Sequence, residues 1–275
     1  MICFPNAKIN LGLNVVSKRQ DGYHNIETIF MPIPLHDALE VTETEASGAG
    51  HSFSFTQTGL PVDAPQENNL VLKAMRLLSA YRLPPLEIHL HKAIHTGAGL
   101  GGGSSDGAFM LKLLNDFGKL GLGQADLEAI ASKLGADCPF FIRNTAAFAS
   151  GTGNVFEPVA LSLKEYRLYL VTPRVAISTA EAYAAVRPQE PSASLKEIIR
   201  LPVDKWRGLM INDFEESIFA KHPSLAAIKQ NLYAAGATYA SMTGSGSSIY
   251  GLFKIPPSNI QAQNLPEGGR WLSLA

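Results

Sequence analysis

The chain has 275 residues, 46% of them apolar and 17% charged, which fits a folded globular protein of two packed domains, or one large α/β domain, and excludes a disordered chain. A formal net charge of -1 supplies no global field for a nucleic-acid backbone or an acidic membrane, so the expected ligand is small. Two cysteines, Cys3 and Cys138, are too few for a disulfide framework or a paired zinc knuckle and point to a reducing, cytoplasmic home.

The opening "MICFPNAKIN" has no basic segment leading into an apolar stretch, and no apolar run approaches the roughly 20 residues of a membrane span; neither membrane nor export is expected. In "AKINLGLNVV" the apolar Ile9, Leu11, Leu13 and Val15 alternate with Lys8, Asn10, Gly12 and Asn14, the period of a half-buried strand with Lys8 and Asn10 on its exposed face. Asp21-Gly22 marks a turn, and strands are expected around 26–33 and 38–44, with "HSFSF" another. "NNLVLKAMRLLSAY" places Leu70, Ala74, Leu77 and Leu78 on one helical stripe, and "LEIHLHKAI" returns to alternation. After the glycine-rich 95–107 a helix is expected from near Ser104 to Gly118, then a second over about 125–134. The composition shifts near 150. Beyond it come the strand "YRLYLV", a helix opened by a Ser178–Glu181 capping box, further helices in "SLKEII", "INDFEESIFA" and "SLAAIKQNLYAAG", and strands flanking "MTGSGSS". A second α/β domain beginning at about 153 fits this order.

The segment "HTGAGLGGGSSDG" joins a strand to a helix. Glycines permit positive φ and let amides approach a ligand, and the helix that follows offers unpaired N–H groups and a dipole to an anion. Ser104 and Ser105 add hydroxyl donors or a metal contact. A Walker A loop is excluded because no lysine precedes the serines, and a dinucleotide fingerprint is weak because no acidic residue ends a strand about 20 residues on. A flexible surface linker is the bland alternative, disfavoured by tight apolar periodicity on both flanks.

"PNAKINLGL", "GAGLGGGSSD" and "MTGSGSS", in that order, resemble the three motifs of the GHMP kinase superfamily, and "DGYHNIETIF" with "LGADCPFFI" resembles its branch that phosphorylates a cytidine-diphosphate methylerythritol in the non-mevalonate isoprenoid route. The resemblance covers residues 5–253. It implies an α+β, two-domain GHMP kinase fold: a ribosomal-S5-like N-terminal ATP-binding domain over 1–152, a ferredoxin-like C-terminal substrate-side domain over 153–275, and a site in the cleft between them. The implied reaction uses ATP and Mg2+ to phosphorylate the 2-hydroxyl of that alcohol. A homoserine or mevalonate kinase of the same superfamily is the alternative.

The resemblance assigns catalysis to Lys8 and Asp137, ATP to Gly97, Ala98, Gly99, Leu100, Gly101, Gly102, Gly103, Ser104, Ser105 and Asn69, and substrate to Asn10, Tyr23, His24, Phe30, Thr179 and Tyr183. Phosphoryl transfer needs positioning, charge stabilisation and a group to orient or deprotonate the attacking hydroxyl, which a lysine and a carboxylate supply. An aromatic face stacks on a base, and a histidine reads its polar edge. Each residue also has a plainer reading: Lys8 as a solvated strand lysine, Asp137 as a turn or cap, Tyr183 as core, His24 as a turn residue, Asn69 as the cap of its helix and "MTGSGSS" as a hairpin turn. His89, His91 and His95 are a weak set for zinc. Three positions depart from the pattern: His95 for a usual proline, Gly107 for alanine and Cys138 for an aliphatic residue. A non-catalytic nucleotide-binding module and an RNA-binding protein are the readings from other classes, the first opposed by Lys8 and Asp137, the second by the neutral charge. No nucleic-acid or membrane partner is expected, and the oligomer is a monomer or homodimer.

Overall fold

A computed structural model of the chain describes all residues except 45–52, 63–64, 82, 256, 258–264 and 275. In chain order its elements are β1 (Ile2–Cys3), β2 (Asn6–Lys18), β3 (His24–His36), β4 (Ala38–Glu43), β5 (Phe53–Gly59), α1 (Leu70–Leu77), β6 (Leu86–Lys92), α2 (Gly102–Phe117), α3 (Gln124–Ala131), α4 (Cys138–Arg143), β7 (Ala147–Ser150), β8 (Val155–Pro158), β9 (Arg167–Val171), α5 (Thr179–Ala185), α6 (Leu195–Ile198), α7 (Phe214–Lys221), α8 (Pro223–Ala234), β10 (Tyr239–Met242), β11 (Ile249–Phe253) and β12 (Arg270–Ser273). The strand expected over "HSFSF" is described from Phe53; residues 51 and 52 lie outside the described residues.

The chain forms two compact units that interleave along the sequence. One holds Met1–Ala7, Leu35–Thr96 and Gly101–Thr145; the other holds Lys8–Pro34, Gly97–Leu100 and Ala146–Ala275. Residues 8–34 and the four loop residues thus group with the C-terminal part.

In the first unit the sheet runs β1-β4-β6-β5, with β5 parallel to β6 and the other pairs antiparallel. The alternation of "LEIHLHK" is realised as written: Leu86, Ile88 and Leu90 are buried, whereas Glu87 and His91 are exposed. Helices α1 and α2 pack side by side, and α4 lies against α2 and α3. Asp37, at the corner between β3 and β4, accepts the amides of Ala93 and Ile94 and is ion-paired to Lys92, which also reaches Asp106 of α2 at 2.6 Å. The end of β6 is thereby fixed before the chain enters the glycine loop.

The second unit carries the sheets β2-β3-β7-β8 and β10-β11-β9-β12, the latter antiparallel throughout. A core of Leu13, Val15, Tyr169, Val171, Phe214, Ile218, Leu232 and Ile249 joins both sheets to α5, α7 and α8. Here β2 corrects the sequence-based expectation. Its residues from Asn6 to Val15 are all buried, so Lys8 and Asn10 lie inside rather than on an exposed face. Alternation gives the period of a strand; it does not say whether the second face is also covered.

Candidate functional site

The glycine loop explains its own composition at two positions. Gly99 has φ +76°, and a Cβ there would lie 2.1 Å from the carbonyl oxygen of Thr243. No other residue fits this close approach. Gly101, with φ 68°, turns the chain into α2, which starts at Gly102 and not near Ser104. The first intrahelical bond runs from Ser105 N to Gly101 O at 2.9 Å, so the amides of Gly102, Gly103 and Ser104 precede the ladder and, with the helix dipole, favour an anion. At Gly97 and Gly103 a Cβ would meet nothing within 4 Å. Each of these two positions, taken by itself, faces open space.

Lys8, 4% exposed, extends its ammonium to Asn10 Oδ1 at 2.6 Å and Gly99 O at 3.0 Å, 4.9 Å from the centre of the Phe30 ring. Two oxygen acceptors and an aromatic face offset part of the cost of burying a cation. Asn10 completes the bracket: its Oδ1 also meets Thr243 Oγ1 at 3.2 Å, and its Nδ2 donates to Thr28 Oγ1 at 2.8 Å. The backbone fixes the same residues, through Lys8 N to Leu100 O at 3.0 Å and Asn10 N to Thr243 Oγ1 at 2.9 Å. Thr243 Oγ1 lies 3.1 Å from Gly99 O, and Ser248 N donates to Ala98 O. The two glycine segments and β2 therefore meet in one hydrogen-bonded cluster within the second unit. "MTGSGSS" does link β10 to β11 as a hairpin turn, and it also packs on the first loop.

The aromatic set is partly assembled. The rings of His24 and Tyr183 stack at 4.9 Å and 22°, and Tyr183 meets Phe214 edge-on at 4.9 Å. Tyr23 is 67% exposed, just past the Asp21-Gly22 turn. Desolvation, followed by the Lys18 charge, lowers the His24 pKa below the usual histidine value, which keeps a neutral imidazole, one donor and one acceptor, at neutral pH. Thr179 opens α5 after Ser178, whose Oγ accepts from Glu181 N at 3.0 Å, one half of the expected capping box.

In the first unit Asp137 precedes α4 and makes no side-chain cap bond to it, while Asn69 caps α1 by accepting from Val71 N at 2.9 Å. Burial pushes the pKa of the Cys138 thiol up to about 12, with Ser104 a smaller opposing influence; the thiol is an unreactive packing group next to Asp137 in the chain. Ser105 is buried, with no hydrogen-bond partner for its hydroxyl among the described residues. His89 and His91 share the Thr58 hydroxyl at 2.9 and 3.0 Å. No cluster of three or more His, Cys, Asp or Glu that could hold a metal occurs among the described residues.

Sequence reasoning did not single out Thr243, Thr28 or Asn212 as bonded partners of the site. The polar pair in "INDFEE" was a signal, since Asn and Asp before an apolar helix need a reason.

Comparison with known proteins gives the family. Residues 69–145 match the GHMP kinases N terminal domain and residues 195–268 the GHMP kinases C terminal domain. A protein of Parabacteroides distasonis named 4-diphosphocytidyl-2-C-methyl-D-erythritol kinase is 64% identical over 96% of this chain and 96% of its own length. The chain belongs to the 4-diphosphocytidyl-2-C-methyl-D-erythritol kinase family. The relative of that family in Bacteroides thetaiotaomicron is 55% identical over 92% of both chains. A crystal structure of 4-(cytidine 5'-diphospho)-2C-methyl-D-erythritol kinase superposes with a TM-score of 0.75 at 33% identity, covering 92% of this chain and 90% of that one. The Methanococcus jannaschii mevalonate kinase structure reaches 0.70 at 16% identity, with 100% and 98% covered, and shares the fold alone. As a family member the chain is an ATP-dependent small-molecule kinase with the α+β GHMP kinase fold. Among the described residues no helix is long and apolar enough to cross a membrane.

Proposed function

We propose that the chain transfers the γ-phosphoryl group of ATP to the tertiary 2-hydroxyl of 4-diphosphocytidyl-2-C-methyl-D-erythritol, giving the 2-phosphate and ADP on the non-mevalonate route to isoprenoid precursors. The relatives' names support the substrate, and the observation that carries the chemistry is the Lys8 ammonium held against Gly99 O, two residues from Gly97, where a side chain would meet nothing.

In this reading the amides from Gly97 to Gly103, with Ser104 and Ser105, cradle the phosphates, and Asn69 flanks the nucleotide while capping α1. Lys8 stabilises charge on the moving phosphoryl group. Asp137 orients the hydroxyl and takes its proton as the new P–O bond forms and the bond to ADP breaks. Tyr23 and Tyr183 offer aromatic faces to the cytosine, a neutral His24 reads its edge, and Asn10, Phe30 and Thr179 border the substrate. Magnesium would enter with the nucleotide, with the hydroxyl of Ser104 or Ser105 as its contact on the chain, and would supply positive charge against the phosphates. In domain terms, residues 1–152 form the ATP-binding part and 153–275 the substrate-side part of the family architecture. The chain works in the cytoplasm as a monomer or homodimer, without a nucleic-acid partner.

Steady-state turnover of Lys8→Met and Asp137→Asn tests these roles. Each is expected to lose about 100-fold or more in kcat with modest change in either KM, as for groups acting in the transition state. An Asp137→Asn enzyme with the wild-type rate under saturating substrates would remove the base assignment.

A further inference from the structure

The stretch from Asn212 to Glu215 does more than begin α7. Asn212 is 3% exposed, and its Nδ2 donates to two carbonyls at once, Met242 O and Gly244 O, each at 2.9 Å. Its Oδ1 accepts from Phe214 N at 3.1 Å. Three directions of the amide are thus fixed, and the two donors bracket Thr243 from both sides of the peptide chain.

The same stretch is tied to the strand that bears Lys8. Leu13 N donates to Ile211 O at 2.8 Å, Asp213 N to Leu13 O at 2.9 Å, and Val15 N to Asp213 Oδ2 at 2.7 Å. Glu215 Oε1 adds an acceptor for Met242 N at 2.7 Å. The second glycine turn is therefore registered against β2 by one short segment. Thr243, held between the two bracketed carbonyls, meets Asn10 Oδ1 and Gly99 O, the two oxygens to which Lys8 Nζ also donates. A displaced turn would withdraw Thr243 from both oxygens and loosen these two acceptors of the ammonium.

We propose that Asn212 is a positioning residue for phosphoryl transfer, setting the Lys8 ammonium and the Gly99 carbonyl through Thr243. This rests on the reading above of Lys8 as the group that meets the transferred phosphoryl. The role needs an amide: aspartate has the same shape but would turn an acceptor toward two carbonyls, and serine cannot bridge both.

The test is kinetic, on the full chain, with Asn212→Asp and Asn212→Ser beside the wild type, each first checked for a cooperative thermal transition above the assay temperature. Loss of positioning predicts a fall in kcat of about 30- to 100-fold in Asn212→Asp, the scale of a small misplacement of a reacting group. KM for the cytidine substrate should stay within about twofold in Asn212→Asp, because aspartate keeps the oxygen that accepts from Phe214 N, the residue against which Tyr183 packs, and alters only the donors to the Thr243 turn. A folded Asn212→Asp enzyme with wild-type kcat overturns the inference, as does a loss confined to KM. If neither variant folds, the amide serves the whole fold and the positioning role is wrong. A wild type that does not phosphorylate the cytidine alcohol sinks the proposed function and this inference together, whereas an active wild type with an unaffected Asn212→Asp sinks the inference alone.

Discussion

Asp106 sits where one lysine faces two carboxylates. Lys92 and Asp37 meet it from the end of β6 and the β3–β4 corner, Cys3 of β1 lies near, and its own Oδ1 finds no partner among the described residues. Burial, partly opposed by Lys92, raises its pKa from 3.8 to about 8. A carboxyl raised in the folded state gives stability that is complete below its unfolded pKa and lost as pH climbs to the folded one. Denaturant unfolding of wild type and Asp106→Asn should therefore show the wild type losing stability relative to the variant between pH 4 and pH 8, and a difference that stays level across that range contradicts the assignment. The motif letters made Lys8 visible as a residue, but not its burial, nor the Asn10, Thr28 and Thr243 bonds around it; Thr243 stands 233 residues from Asn10 and meets it only through tertiary packing. The Asp37–Lys92–Asp106 group was illegible for the same reason, because no spacing in the chain announces an ion pair closed by a tertiary fold.

At the scale of elements, Gly107 is the instructive case. As a glycine inside α2 it weakens the helix by about 1 kcal/mol relative to alanine, which makes it look like a defect in the sequence. In the fold it lies where α1 and α2 touch: a Cβ there would be 2.9 Å from Leu70 Cβ and 3.3 Å from Leu70 O. Overpacking of this kind costs roughly 1–3 kcal/mol, so it outweighs the propensity gain. Gly107→Ala should be less stable than wild type by about 1 kcal/mol in urea unfolding, and a more stable variant would show that the two helices part at no cost. Gly99→Ala is expected to be worse, since both the positive φ and the Thr243 carbonyl forbid the methyl; its nucleotide binding, measured by calorimetry, should fall about 100-fold or more. Strand and helix identities were readable from period 2 and period 3.6, as in β6 and α1. Boundaries were not: α2 starts two residues early because Gly101 turns the chain, and α3 stops at Ala131 with a turn before Gly135.

For the whole molecule, the lesson lies in how the two compact units share the chain. The glycine loop leaves the first unit at Thr96, contributes Gly97–Leu100 to the second, and returns at Gly101. Lys8 likewise belongs with the C-terminal residues although it stands near the start of the chain. Composition alone placed a boundary near 150, since it reports the order of segments and not which of them pack together. The function class was legible because three motifs in order resemble those of a kinase superfamily, and the bare backbone of the longest of them suits a phosphate. The choice among alcohols hangs on fewer letters, chiefly Tyr23, His24 and Tyr183, and it is the point most exposed to experiment.

Purified protein with ATP and magnesium, offered 4-diphosphocytidyl-2-C-methyl-D-erythritol, mevalonate and homoserine in one vessel, and followed by phosphorus NMR, addresses that choice. One new phosphomonoester resonance is expected, from phosphate esterified at the tertiary 2-hydroxyl of the cytidine alcohol, growing in step with ADP. Phosphate appearing on mevalonate or homoserine while the cytidine alcohol stays unmodified would contradict it.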